Sequence, residues 1–135
     1  GYGIPLVMGA KMADPGKFCM NFMGDLAFGH TGMEIETAVR AEIPITTVVI
    51  NNRTMGGYDD KMPTAMAKFG AGNQSGDYAG VAQSLGARGI HVDEAAGIAP
   101  AIAEARRAND EGEVVVIEVA TRQDTRFSQY PELTG

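Results

Sequence analysis

The chain has 135 residues, of which 44% are hydrophobic and 21% charged, and it carries a formal net charge of −6. This length suffices for one domain with a single hydrophobic core. The acidic balance excludes a non-specific grip on nucleic acid, and no run approaches the ~20 apolar residues of a membrane-spanning helix.

The periodicity of apolar residues predicts helices and strands that alternate along the chain. In order, the sequence predicts a helix over 4–13, a strand over 18–23, a helix over 32–41, a strand over 45–50, a loop over 53–63, a helix over 77–86, a strand over 90–92, a helix over 93–109 and a strand over 114–120. The first strand has so few polar residues that both of its faces should be covered. Thr31, with Glu34, is predicted to cap the second helix, and Asp93 the fourth.

This alternation is typical of right-handed βαβ crossovers on a parallel sheet. The predicted fold class is therefore α/β, a three-layer domain with a mostly parallel sheet and helices on both faces. In such sheets, ligands bind beyond the carboxyl ends of the strands.

Oxygen-bearing side chains follow two consecutive predicted strands. Gly24-Asp25 follows the first and Asn51-Asn52 the second, so both should reach one edge of the sheet. A carboxylate and an amide oxygen are hard ligands that suit Mg²⁺ or Ca²⁺, and Mg²⁺ completes its shell with water and phosphate oxygens. A phosphorylated ligand is therefore implied. The residues alone leave open the alternative that Asp25 forms an Asx-turn and Asn51-Asn52 is a polar strand exit.

The segment "GDLAFGHTGMEIETAVRAEIPITTVVINN" resembles the thiamine diphosphate motif, which begins Gly-Asp-Gly and ends after roughly 25 to 30 residues in Asn or Asn-Asn. "GYGIP" resembles the glycine-rich segment before this motif in acetolactate synthase-like enzymes, and "GMEIET" is similar to oxalyl-CoA decarboxylase and 2-hydroxyacyl-CoA lyase. The resemblance implies the thiamine diphosphate-binding fold over 1–120, as a fragment of a longer chain, with 121–135 as a C-terminal tail.

The resemblance also implies a ligand set. Asp25 and Asn52 would bind Mg²⁺ through their side chains, and Thr54 through its backbone carbonyl. The cofactor-binding residues implied are Gly24, Asp25, Leu26, Ala27, Phe28, Asn52, Thr54, Gly56 and Gly57. The motif's third glycine is Leu26 here, so the turn must use backbone angles that a leucine tolerates.

In enzymes of this kind the cofactor lies between such a domain and a pyrimidine-binding domain of the same or another subunit, which implies a homodimer or homotetramer. The other domain supplies the activating glutamate, and Glu34 and Glu36 are expected to be solvated or capping. The catalytic residues are therefore unknown. His30 is the one local residue suited to proton chemistry, with capping or packing as its alternative role, and His91 reads as structural.

The predicted function is to bind the diphosphate of thiamine diphosphate through Mg²⁺, within an acetolactate synthase-like lyase or transferase. Such an enzyme makes or breaks a carbon–carbon bond next to a carbonyl, in a 2-oxo acid or an acyl-CoA. One alternative is an oxalyl-CoA decarboxylase or 2-hydroxyacyl-CoA lyase, and another is a cofactor-free assembly or regulatory module. The segment alone is expected to be inactive. Its single cysteine and the absence of a secretory leader predict a cytoplasmic location.

Overall fold

The computed structural model describes residues 1–55 and 61–123, and these form six α-helices and four β-strands. In chain order the elements are α1 (Gly3–Ala13), β1 (Met20–Gly24), α2 (Asp25–Thr31), α3 (Glu34–Arg40), β2 (Thr46–Asn51), α4 (Pro63–Phe69), α5 (Tyr78–Ser84), β3 (Arg88–Val92), a 3₁₀ turn (Ala95–Gly97), α6 (Ile98–Asp110) and β4 (Val115–Ala120). All four predicted strands are confirmed, each within two residues of its predicted start and one residue of its predicted end.

The four strands form one parallel sheet in the order β1-β2-β4-β3. β2 is β-branched up to Ile50, which favours an extended backbone. In the ladder between β1 and β2, Gly24 lies opposite Ile50. The two strands therefore end side by side, as the parallel arrangement predicts.

Hydrophobic residues pack on both faces of this sheet. On one face, Ile4 of α1, Ile35 of α3 and Ala82 of α5 contact Val49 and Val116 in a single cluster. On the other face, α6 packs on β2, β3 and β4. Its contribution is a row of buried alanines, Ala101, Ala105 and Ala108, which lie against Val48, Val115 and Ile117. The predicted three-layer α/β fold is confirmed.

The prediction that both faces of the first strand are covered is wrong. β1 is the edge strand of the sheet, and the Phe22 side chain is 62% exposed. Met23, which points to the opposite face, is buried in the cluster with α1. α6 lies over the three strands beyond β1, and this explains why one side of β1 faces solvent.

Two short helices were not predicted, and two predicted caps are wrong. α2 occupies the segment that was expected to be a turn, and α4 begins at the end of the predicted loop. Thr31 is the last residue of α2 and cannot start the next helix, whose N-cap position is Met33 without a side-chain cap. Asp93 precedes the 3₁₀ turn, so α6 begins five residues later, at Ile98.

The C-terminus of α3 is a Schellman motif built on a glutamate. The backbone N–H of Ile43 donates to the Ala38 carbonyl at 2.9 Å, and that of Glu42 to the Val39 carbonyl at 3.1 Å. Glu42 has φ +54°, in the left-handed region that favours glycine. α6 ends in the same motif with Gly112 at the equivalent position, at φ +91°.

Replacing Glu42 with glycine should stabilise the protein by about 0.5 kcal/mol. The left-handed conformation costs a residue with a Cβ roughly 1–2 kcal/mol, and the greater entropy of glycine in the unfolded chain offsets part of the gain. Urea unfolding of both proteins measures the difference. Gly112→Ala is the matched control with the opposite sign, because its Cβ would meet no atom within 4 Å and only the backbone strain would change. A Glu42→Gly variant less stable than the original protein would contradict this account.

None of the helices among the described residues has the length and apolar character that a membrane crossing requires.

Candidate functional site

Asp25 is the first residue of α2 and follows directly on β1. Its side chain is only 3% exposed. Oδ1 accepts a hydrogen bond from the backbone N–H of Leu26 at 2.8 Å, and Oδ2 accepts one from the backbone N–H of Arg53 at 2.9 Å. The second bond joins the end of β1 to the segment after β2, so the structure brings Asp25 to the loop that carries Asn52 and Thr54.

The loop after β2 is held by its own asparagine side chains. Asn51 Oδ1 accepts from the Arg53 N–H at 3.1 Å, and Asn52 Oδ1 accepts from the Thr54 N–H at 3.1 Å. Arg53 has φ +58°, a left-handed turn that reverses the chain between the two asparagines and Thr54. The Arg53 N–H therefore serves two acceptors, Asp25 and Asn51.

Thr54 forms an isolated antiparallel bridge with Asn73. The hydrogen bonds of this bridge run from Met55 N–H to the Gly72 carbonyl and from Gln74 N–H to the Arg53 carbonyl. In this pattern the N–H and C=O of the central residue point away from the partner segment. The Thr54 carbonyl is thus on the side where the Thr54 N–H meets the Asn52 amide.

Two further polar residues, an acid and a tyrosine, are buried near Asp25. Glu118 of β4 is 6% exposed, and Tyr78 at the start of α5 is also buried. The pKa of the Tyr78 phenol is raised above its usual value, first by burial and then by the negative charges of Asp25 and Glu118. The Tyr78 ring packs edge-on against Phe28 of α2, with ring centres 5.5 Å apart.

The donor set fits a hard divalent cation. A buried carboxylate is costly without a counter-charge, and Asp25 takes part in none of the ion pairs formed by the described residues. Carboxylate, amide and carbonyl oxygens are the ligands that Mg²⁺ accepts. Asp25 has a carboxylate, Asn52 a side-chain amide oxygen and Thr54 a backbone carbonyl, and the three residues lie in neighbouring segments.

The residues after Asp25 form the first turn of α2. Leu26 has no positive φ, so this departure from the glycine motif is accommodated by an ordinary helical backbone, as expected of a leucine. Ala27 is half-buried and Phe28 is buried in the main core. An apolar cleft of about 160 Å³ lies beside them, lined by Phe28, Gly29, Gly32, Met33, Tyr78 and Val81.

The remaining predicted residues lie apart from Asp25 or outside the described part of the chain. His30 is exposed in the last turn of α2, five residues from Asp25, which is roughly 7.5 Å along a helix axis. Glu36 pairs with Arg40 on the surface of α3, as a solvated helix residue does, and Glu34 begins that helix. Gly56 and Gly57 fall in the 56–60 gap, and most of the predicted tail falls in 124–135, so both lie outside the described residues.

Glu118 is the functional candidate that the sequence reasoning missed. It stands alone among apolar neighbours in "VVVIEVA", and a single acid in a strand buried on both faces is itself a signal. Its partners, Asn51 and Ala79, are 67 and 39 residues away in the chain, so no local pattern could identify them.

Comparison with known proteins gives a family and several relatives. Residues 1–119 match the family described as "Thiamine pyrophosphate enzyme, C-terminal TPP binding domain", TPP being thiamine diphosphate. A sulfoacetaldehyde acetyltransferase of Castellaniella defragrans is 36% identical over 127 residues, which cover 91% of this chain and 21% of the relative. The acetolactate synthase large subunit of Corynebacterium glutamicum is 30% identical over 134 residues, 93% of this chain and 21% of the relative.

Among solved structures, a thiamine diphosphate-dependent 4-hydroxybenzoylformate decarboxylase of Rhodococcus jostii RHA1 has the same fold, with a TM-score of 0.77. Its sequence is 24% identical, and the match covers 93% of this chain and 24% of that one. This chain therefore spans about a fifth of the length of the curated relatives described above and about a quarter of this solved structure.

Proposed function

This chain belongs to the family of C-terminal TPP-binding domains of thiamine pyrophosphate enzymes, and we propose that it anchors the diphosphate of the cofactor through Mg²⁺. Asp25 and Asn52 bind the ion through side-chain oxygens, and Thr54 binds it through its carbonyl. The observation that carries this proposal is the buried Asp25 carboxylate, which meets the 51–54 loop and has no cationic side chain paired with it among the described residues.

The remaining proposed contacts come from the backbone around Asp25. Gly24 precedes the carboxylate and leaves room for a ligand, because a Cβ there would meet no atom within 4 Å. Leu26, Ala27 and Phe28 lie in the first turn of α2, where backbone N–H groups have no acceptor within the helix, and this proposal directs those of Ala27 and Phe28 to the diphosphate. Gly56 and Gly57 complete the proposed set from beyond Thr54.

We further propose that the chain is one domain of a larger acetolactate synthase-like lyase or transferase that acts next to a carbonyl. When bound, thiamine diphosphate would supply an electron sink next to that carbonyl. The part of this chain is to bind and orient the cofactor, while a pyrimidine-binding domain of the same or another subunit holds its other end.

Calorimetric titration of the intact protein with thiamine diphosphate tests the central proposal. We expect binding in the presence of Mg²⁺ and a loss of affinity when EDTA removes the metal. Binding that does not depend on the metal, or no binding at all, would contradict it. Assays with 2-oxo acids and with acyl-CoA substrates then separate an acetolactate synthase-like activity from an oxalyl-CoA decarboxylase or 2-hydroxyacyl-CoA lyase.

A further inference from the structure

Glu118 is a buried acid whose two carboxylate oxygens serve different parts of the molecule. Oε1 accepts a hydrogen bond from the Asn51 side-chain amide at 2.6 Å. Oε2 accepts one from the backbone N–H of Ala79, in the first turn of α5, at 2.9 Å. β4 lies between β2 and β3, so this one side chain fastens both the end of β2 and the start of α5 to the centre of the sheet.

The bond to Asn51 continues toward the proposed cation site. Glu118 orients the Asn51 amide so that its oxygen faces the loop, and that oxygen accepts from the Arg53 N–H. The same N–H donates to the Asp25 carboxylate. A continuous chain of hydrogen bonds therefore runs from Glu118 through Asn51 to Arg53, the residue that lies between Asn52 and Thr54.

On the solvent side, the His91 ring lies between two acids, Glu118 and Asp77. Nδ1 is 3.6 Å from Glu118 Oε2, and Nε2 is 3.0 Å from Asp77 Oδ1. Asp, His and Glu are metal-ligating residues, and these three lie close enough together to suggest a metal site. However, each ring nitrogen faces a different carboxylate, and one ion cannot bind both nitrogens of one ring. In addition, Asp77 Oδ1 already accepts the Gly80 N–H that caps α5. At 3.6 Å the His91 ring is beyond hydrogen-bond distance of Glu118, so the hydrogen-bond chain ends at Glu118 on this side.

We propose that Glu118 is a positioning residue for the cofactor site. It fixes the Asn51 side chain and, through Asn51, the turn at Arg53 that aims Asn52 and Thr54 at the cation. This inference rests on the proposed function in one respect, namely that Asn52 and Thr54 hold the ion. Partners that orient metal ligands without touching the metal commonly change metal affinity by 10- to 100-fold.

An exchange of hydrogen-bond roles tests this proposal. Glu118→Gln puts an NH₂ group opposite one of the two donors that Glu118 now serves, the Asn51 amide or the Ala79 N–H. Asn51→Asp puts a second carboxylate opposite that of Glu118. The double variant restores every bond, because the introduced glutamine can donate to the introduced aspartate and still accept from Ala79. We expect each single variant of the intact protein to bind thiamine diphosphate with Mg²⁺ roughly 10- to 100-fold more weakly, and the double variant to recover to within about threefold. Glu111→Gln, an exposed acid after α6, is the control that should change nothing.

Amide hydrogen exchange in the cofactor-free protein gives a second readout. The Met55 and Gln74 amides, which bond across the bridge at Thr54, should exchange faster in each single variant and return to the original rate in the double variant. If the original protein binds no cofactor, the proposed function fails. The exchange rates of these two amides still show whether Glu118 holds the loop in place.

Three results would overturn the proposal. The first is single variants that match the original protein in both readouts. The second is an equal increase of exchange at Ala105, in the buried row of α6, which would indicate general destabilisation. The third is a double variant that is no better than the weaker single variant. The double variant is decisive even if a single variant does not fold, because all of its hydrogen bonds are restored.

Discussion

We expect the Asp25→Asn variant to bind thiamine diphosphate in the presence of Mg²⁺ at least ~100-fold more weakly than the original protein. Asparagine keeps the shape of the side chain but removes the charge that would face the ion. Removing one partner of a buried charge pair costs about 3–5 kcal/mol, and each 1.4 kcal/mol is about tenfold in affinity. Calorimetry on the intact protein, at one fixed concentration of Mg²⁺, measures the change.

The control for this variant is Asp110→Asn, which removes one negative charge from the exposed end of α6. It should leave the affinity as it is. If Asp25→Asn also left the affinity unchanged, the carboxylate would not bind the ion. If neither the original protein nor the variant bound the cofactor, the alternative of an assembly or regulatory module without cofactor would gain support.

Gly89→Ala should destabilise the protein by about 2–3 kcal/mol. Gly89 lies in β3 under α5, and a Cβ at this position would collide with the carbonyl oxygen and the backbone carbons of Ala79. These are backbone atoms, so no side chain can swing aside, and the helix itself must move away from the sheet. Since Ala79 also donates to Glu118, the displacement should reach the buried acid. Thermal and urea unfolding measure the loss of stability.

Gly9→Ala makes the same chemical change where there is space. Gly9 lies inside α1, and a Cβ there would meet no atom within 4 Å. Alanine favours the helix by roughly 0.5–1 kcal/mol over glycine, so this variant should be more stable than the original protein. If both variants lost the same amount of stability, the close approach of Ala79 to β3 would not be the reason for a glycine at position 89.

The sheet and the meeting of its polar strand ends were predictable from the sequence. Runs such as 45–50 are apolar or β-branched throughout, and a parallel sheet places consecutive strand ends at one edge. The contact between Asp25 and the 51–54 loop follows from these two facts alone. The three-layer arrangement follows as well, because an inner strand such as β2 needs cover on both sides, although the edge strand β1 departs from this rule.

The parts that were missed depend on contacts between residues distant in the chain. α2 has seven residues, too few for a stable helix in isolation, and the packing of Phe28 on Tyr78 supports it from 50 residues away. Because α2 begins at Asp25, the predicted cap at Thr31 could not form. The exposure of Phe22 depends on which strand lies at the edge, and the order of strands is not encoded in local periodicity.

The sheet order also has a consequence for synthesis on the ribosome. β4 is the last of the described strands to be translated, yet it takes an inner place and joins β3 to the pair formed by β1 and β2. Until Val115–Ala120 has left the exit tunnel, no ladder connects β3 to the pair formed by β1 and β2. The nascent domain can therefore close only in a late step, and a chain that stalls before β4 would present the open edge of β2 and the unpaired β3 to chaperones.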